Sequence, residues 1–174
     1  MDNSKQVKTF PSKWMIVIFW LLFLASLTLF FNGFIQQKYY PNHDLQVGEN
    51  NGRVELKRGP LGHYRAPGLI NGEAVNFLLD TGATDVSVPA ALAEKLNISL
   101  GRKQMVGTAN GVIAVYQAEL DSVQIGGVTL HQVQANINPN MDDDEVLLGM
   151  SFMRHLDMTQ RADTMILEVP ASTR

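Results

Sequence analysis

The residues best placed to do chemistry lie in the stretch FLLDTGATDVSVP, residues 77–89, where an aspartate ends an apolar run. Asp80 is followed by a Thr-Gly pair, and apolar residues resume at Val86. An Asp-Thr-Gly turn is common at strand ends, because the carboxylate accepts nearby backbone N–H groups. The apolar flanks also predict that this turn dips into the core, where a carboxylate must be hydrogen-bonded, paired or perturbed in its pKa. A turn cap and a functional carboxylate are both open at this point.

A second candidate element is the stretch VLLGMSFM, residues 146–153, further along the chain. Three apolar residues there run into Gly149, and a helix-like stretch follows. Two apolar strands that each end at a small residue can cross close together, as a loop threading past another strand requires. The pattern predicts such a crossing between the chain at Gly149 and the Asp80 turn.

Together the two motifs, Leu78–Ala83 and Leu147–Gly149, resemble the aspartic proteases of the retroviral type. The whole of 53–169 is similar to the bacterial, membrane-anchored, retropepsin-like members of this clan (clan AA), in the order and spacing of the motifs and in a glycine-bearing hairpin between them. The resemblance implies an all-β fold: a closed barrel like that of the retroviral proteases, with one or two short helices, preceded by a single transmembrane helix. It also implies an aspartic endopeptidase that uses neither a cofactor nor a metal.

By this resemblance Asp80 is the catalytic residue, and the chain supplies it once, because no second Asp-Thr-Gly or Asp-Ser-Gly occurs. A homodimer would then pair Asp80 with its copy across a two-fold axis. Peptide hydrolysis of this kind needs one carboxylate as general base toward water and one carboxylic acid to polarise the carbonyl oxygen. The resemblance also assigns supporting residues: Thr81, Gly82 and Ala83 in the active-site loop, and Leu147, Leu148 and Gly149 in the second motif.

Between the motifs, the stretch VGTANGVIAVY, residues 106–116, predicts a hairpin. By the resemblance it is a flap that closes over the cleft on an extended peptide, and an ordinary surface hairpin is the alternative. Retroviral enzymes commonly carry an ion pair at the two positions that match Thr84 and Met150. Both charges are missing here, so the dimer contact is expected to differ in detail. The predicted substrate-binding tip of the flap consists of Thr108, Ala109, Asn110 and Gly111.

The uncharged stretch between Lys13 and Lys38 has the length of a membrane-spanning helix. We predict a transmembrane anchor over 14–35 after a cytoplasmic tail over 1–13, because three lysines and one acid precede the helix and positive charge stays inside. The folded domain then lies outside, in the periplasm if the source is a Gram-negative bacterium. A cleaved signal peptide is the alternative, but it has a shorter apolar region and a small-x-small site, which the sequence after Phe31 lacks.

Beyond the anchor, 36–52 is a polar segment with Pro, Gly, Asn and Gln, and it predicts a linker. In the remaining segment, 53–170, short strands and turn residues alternate at close spacing, which is typical of an all-β barrel or sandwich. The resemblance implies that this segment is the retropepsin-like protease domain. The expected turns are Asn71-Gly72, Gly126-Gly127 and Ala162-Asp163, and the expected helices are Pro89–Leu96 and Gly149–Leu156.

Charge and composition restrict the partners. Beyond residue 37 the chain carries 11 Lys or Arg and 16 Asp or Glu, which argues against a nucleic-acid surface and favours a protein or peptide substrate. There is no cysteine, which excludes disulfides and thiol chemistry. Two alternatives to a membrane-tethered endopeptidase stay open: a catalytically inactive retropepsin-like module that binds peptides or supports assembly at the membrane, and a protease that cuts its own tether.

Overall fold

The computed structural model describes residues 13–45, 48, 51–60, 62–108, 111–141 and 144–171. The chain divides into two compact units, Met1–Gln37 and Lys38–Arg174. The elements in chain order are α1 (Lys13–Tyr39), β1 (Arg53–Lys57), β2 (Arg65–Ile70), β3 (Glu73–Leu79), β4 (Val86–Pro89), α2 (Ala90–Lys95), β5 (Lys103–Thr108), β6 (Gly111–Ile125), β7 (Val128–Asn138), β8 (Glu145–Leu148), α3 (Met150–Met153), β9 (Asp157–Arg161) and β10 (Thr164–Glu168).

The larger sheet closes on itself. Its strands follow the order β2-β3-β8-β4-β7-β6-β5, and an additional pairing of β2 with β6 makes a barrel of the first six. Among the described strands, β5 pairs only with β6 and so extends from the barrel. A second sheet has the order β1-β10-β9. The predicted all-β closed barrel with short helices and an N-terminal apolar helix is confirmed.

The barrel closes around apolar side chains that alternate along its strands. Strand β2 alternates half-buried and buried positions along its whole length, as a strand with one face on a core must. Strand β4 is buried on both faces, because it runs between β8 and β7 in the middle of the sheet. The largest fully buried side chains are Phe77, Phe152, Leu56, Ile70, Leu120, Ile125, Ile137, Leu148, Met153 and Leu167.

The three predicted turns are confirmed by hairpins at their positions. Asn71 and Gly72 join β2 to β3 with φ of 52° and 86°, the left-handed values that a two-residue hairpin turn needs. Gly126 has a φ of 53° in the turn between β6 and β7. Ala162 has a φ of 50° between β9 and β10.

Both predicted helices exist, but they are shorter than the sequence indicated. Helix α2 begins at Ala90, with Pro89 as its N-cap residue and not as its first helical residue. Helix α3 has only four residues, whereas Gly149–Leu156 was expected. The N–H of Leu156 bonds to the carbonyl of Met153 in a tight turn, because the chain must reverse there to begin β9.

Part of the predicted linker over 36–52 belongs to the folded unit, which begins at Lys38. The Asn42 side chain is buried, and its Nδ2 donates to the carbonyl oxygens of Lys57 at 2.8 Å and Arg65 at 2.7 Å. Its Oδ1 accepts from the N–H of Lys57 at 2.7 Å. One amide thus joins the strands β1 and β2, so the interpretation of the whole stretch as a free linker is corrected.

Helix α1 is the apolar element at the N-terminal end. All its described side chains from Lys13 to Gly33 are exposed, and this stretch has a mean hydropathy of 2.4. Such a helix is long and apolar enough to cross a membrane. A signal sequence has the same properties, so α1 on its own supports membrane association weakly.

Candidate active site

Asp80 stands where β3 ends. Its N–H donates to the carbonyl oxygen of Leu148, on the parallel neighbour β8, at 3.2 Å. The carboxylate is half-buried, and its Oδ1 accepts a hydrogen bond from the N–H of Gly82 at 2.8 Å. This bond is the turn-capping contact that aspartates make at strand ends. Within the described residues, this bond engages one of the two carboxylate oxygens.

The turn that carries Asp80 lies at the surface of the single chain. Thr81 and Gly82 are exposed, and Ala83 is half-buried. The expectation that the turn dips into the core is therefore wrong. The apolar flanks fill the core as parts of β3 and β4, but the loop between the two strands emerges at their ends. A carboxylate in this position is accessible to a ligand.

The chain at Gly149 crosses directly against this loop, as the sequence predicted. The N–H of Met150 donates to the carbonyl of Ala83, and the N–H of Ser151 donates to that of Thr84, both at 2.8 Å. A Cβ atom at residue 149 would lie 2.2 Å from the carbonyl oxygen of Asp85 and 2.8 Å from that of Ala83. Only glycine lets the two backbones approach so closely.

The two leucines of the second motif have different surroundings. Leu148 is fully buried in the core, whereas Leu147 is half-buried and lines a cleft beside Asp80. Successive side chains of a strand point to opposite faces, so β8 contributes to both the core and the cleft.

Ser151 is a structural residue of this site that the sequence reasoning missed. Its side chain is buried, its Oγ accepts from the N–H of Val86 at 2.9 Å, and it donates to the carbonyl of Gln134 at 2.7 Å. One hydroxyl therefore joins α3 to β4 and β7. No local signal marks a serine for this role, because both partners are distant in sequence.

The Asp80 loop faces a cleft of about 450 Å³. Asp80, Gly82 and Ala83 form one side of it. The hairpin of β5 and β6 also lines it, through Val106, Gly107, Thr108, Ile113 and Val115. The hairpin predicted from residues 106–116 thus borders the same cleft as the carboxylate.

The predicted flap tip is only partly described. Thr108 lines the cleft, is exposed, and donates from Oγ1 to the carbonyl of Gly111 at 2.9 Å. Gly111 has a φ of 116°, a value that favours glycine. Ala109 and Asn110 lie outside the described residues. The hairpin's register is regular up to the pair Thr108 and Gly111.

A third wall of the cleft is polar, and the sequence reasoning missed it. It consists of Asp85, Ser87, Asn136 and Asn138. The alternation of Ala135 and Ile137 with these asparagines was visible in the sequence, but the partner strand of β7 was not. Within the described part of the chain, no three His, Asp or Glu side chains are grouped so that they could hold a metal ion.

Two curated proteins are similar to this chain in sequence. A curated Sinorhizobium relative, an uncharacterized protein in the cobV 5′ region, is 30% identical over 115 residues, which are 64% of this chain and 49% of the relative. An uncharacterized protein of Rickettsia prowazekii (strain Madrid E) is 29% identical over 106 residues, 59% of this chain and 45% of its own. The chain thus spans about half the length of the curated relatives it matches.

A solved structure is similar to this chain in fold. The crystal structure of a retropepsin-like aspartic protease from Rickettsia conorii matches with a TM-score of 0.59 and 28% identity, over 68% of this chain and 91% of that one. The family model for gag-polyprotein putative aspartyl proteases matches residues 66–155, a span that contains both Asp80 and Gly149. Because this match covers half of the chain and agrees with the barrel and the loop crossing, the chain belongs to the family of gag-polyprotein putative aspartyl proteases, with a retropepsin-like fold.

Proposed function

We propose that the protein is an aspartic endopeptidase that acts as a homodimer, with Asp80 from each copy forming the catalytic pair. The observation that carries this proposal is the position of Asp80: an accessible carboxylate, in a loop held by the crossing at Gly149, that lines a cleft together with the hairpin of β5 and β6. A cleft of this shape suits an extended peptide, which the hairpin would cover.

Two identical carboxylates can perform both roles of the reaction. Held about 3 Å apart, they cannot both be ionised, so the pair would share one proton. The ionised member removes a proton from the attacking water, and the protonated member donates to the carbonyl oxygen of the scissile bond. The hydrogen bond from Gly82 to Oδ1 orients each carboxylate and leaves its other oxygen available.

The decisive experiment measures whether both copies supply the acid. Wild-type and Asp80→Asn chains, each with its own tag, are co-expressed at several ratios and assayed for cleavage of a peptide library. Asp80→Asn alone should be folded and inactive. At equal amounts, activity should fall to about one quarter, the fraction of dimers with two wild-type copies, and not to about one half.

Asp121→Asn is the matched control, because Asp121 is an exposed carboxylate on β6 that does not line the cleft. Mixing this variant with wild type should leave activity unchanged. Full activity of Asp80→Asn would reject the enzyme assignment and favour the inactive peptide-binding module. A linear fall with the wild-type fraction would reject the shared site.

We also propose that α1 tethers the barrel to a membrane, with 1–13 as a cytoplasmic tail, 14–35 as the anchor, and the protease domain of 53–170 outside. The apolar, exposed surface of α1 and the lysines before it support this orientation. Tethering would favour dimers, since anchored copies meet at a raised effective concentration. The full chain should stay in the membrane pellet after alkaline carbonate washing; a soluble product that has lost its N-terminal residues would indicate a signal sequence or self-cleavage.

A further inference from the structure

The polar wall of the cleft arises from the register of two parallel strands. In the pairing of β4 with β7, Ser87 lies opposite Asn136, and Pro89 lies opposite Asn138. Side chains alternate along each strand, so the neighbours Val86 and Ala135 point to the core. The hydroxyl and the two amides therefore share the opposite face, which lines the cleft.

These three side chains are buried and take part in hydrogen bonds within the protein. Ser87, Asn136 and Asn138 are 5%, 8% and 9% exposed, so their polar groups need partners. The hydroxyl of Ser87 donates to Oδ1 of Asn136 at 2.8 Å, and the N–H of Asn140 donates to Oδ1 of Asn138 at 2.9 Å. Both amide oxygens are thereby engaged within the protein.

The Nδ2 groups of Asn136 and Asn138 have no hydrogen-bond partner among the described residues, and neither is sealed from solvent. These N–H donors are thus available to a ligand in the cleft. Asp85 lines the same cleft and supplies an acceptor, and none of the described residues that line it is Lys, Arg or His. The lining of the cleft therefore offers both hydrogen-bond donors and an acceptor.

We infer that this wall is a substrate subsite that selects a carboxamide side chain, Gln or Asn, beside the scissile bond. This inference rests on the proposed peptidase function and names its substrate class. A carboxamide presents an acceptor to the asparagine N–H groups and donors to Asp85, and it carries no charge. An apolar side chain would leave those groups unpaired, which costs more than a missing methylene group does. An acidic side chain would be repelled by Asp85, and a basic one offers no acceptor.

The test uses the full chain in detergent and a peptide library in which one position at a time is Gln, Asn, Leu, Glu or Lys. Wild type should cleave peptides with Gln or Asn at one position near the scissile bond about tenfold better, in kcat/KM, than the same peptides with Leu. The variant Ser87→Ala/Asn136→Leu removes both members of one hydrogen bond. It should still cleave, with the preference shifted toward Leu.

Gln134→Leu is the matched control, because it removes a carboxamide from an exposed position of the same strand outside the cleft. It should keep the wild-type preference. Thermal unfolding of each variant checks that it folds. If the double variant does not, Ser87→Ala alone keeps the test open, and it should lower the Gln/Leu ratio about threefold by releasing the Asn136 amide.

A binding arm separates this inference from the proposed function. The Asp80→Asn chain is titrated with fluorescent Gln and Leu peptides, so that no cleavage is needed. Cleavage without a carboxamide preference, or a preference unchanged in Ser87→Ala/Asn136→Leu, overturns the subsite and leaves the peptidase. Carboxamide-selective binding without cleavage in wild type overturns the peptidase and keeps the subsite. Neither cleavage nor selective binding overturns both.

Discussion

The two sides of the cleft are built in different ways. The Asp80 side is fixed by backbone contacts between distant segments: the loop bonds to Leu148, Met150 and Ser151, and Gly149 fits against it without room for a Cβ atom. The hairpin side is held by its own register, since β5 pairs with β6 and with no other strand that the structure describes. Met105 and Val112 on this hairpin are 64% and 68% exposed.

The proposed reaction requires different properties of the two sides of the cleft. A catalytic carboxylate must be held within a fraction of an ångström of its productive position, which requires rigid support from several segments. A cover for the substrate must open and close, and segments with few buried apolar contacts open at low free energy. In the proposed reaction, the Asp80 side would hold the carboxylate in position, and the hairpin would control access to the cleft.

The sharpest test of this contrast compares two glycines. Gly149→Ala should lower the free energy of unfolding by about 3 kcal/mol, because the new Cβ would collide with two backbone carbonyls that cannot move independently. Gly107→Ala, on the hairpin, meets no atom within 4 Å and should change stability by less than about 1 kcal/mol. Urea unfolding of the full chain in detergent measures both. Equal losses would show that the two sides are equally rigid.

The close backbone approach on the Asp80 side of the cleft could be predicted from sequence, because its signals lie in short local stretches. Asp80 and Gly149 each end a short apolar run, and a small residue at such a point indicates a close approach of two backbones. The turns at Asn71 and Gly126 were equally clear, because their left-handed backbone is a property of the residues themselves.

The contacts that could not be predicted from sequence depend on how distant strands pair with one another. Ser151 and Asn136 are ordinary polar residues until β4 lies between β8 and β7, and nothing near them in sequence specifies that order. Asn42 was assigned to a linker for the same reason, since its partners Lys57 and Arg65 follow it at a distance. The exposure of the Asp80 turn was also misjudged, because apolar flanks report on the strands and not on the loop between them.

A pair of hydroxyl deletions tests the same contrast with a smaller effect. Ser151→Ala should cost about 2 kcal/mol, because it leaves the buried N–H of Val86 and the carbonyl of Gln134 without their partner. Thr108→Val removes a hydroxyl whose bond to Gly111 is exposed, and its cost should stay below about 0.5 kcal/mol. Denaturant midpoints at constant m value give both differences. A larger loss for Thr108→Val would mean that the hairpin tip stabilises the fold.

The smallest difference in stability between paired variants should be that of two adjacent hairpin residues that point in opposite directions. Ile113 lines the cleft, and Val112 is exposed and does not. If the hairpin covers the substrate, Ile113→Thr should raise KM for a peptide substrate about three- to tenfold through lost apolar contact, with kcat nearly unchanged. Val112→Thr should leave KM as it is, and both variants should unfold within about 1 kcal/mol of wild type.

Because the two substitutions lie on one strand, any general effect on the hairpin changes both KM values together, whereas a covering role changes only that of Ile113→Thr. Equal KM values for the two variants would therefore remove the hairpin from substrate binding and leave it an ordinary surface feature.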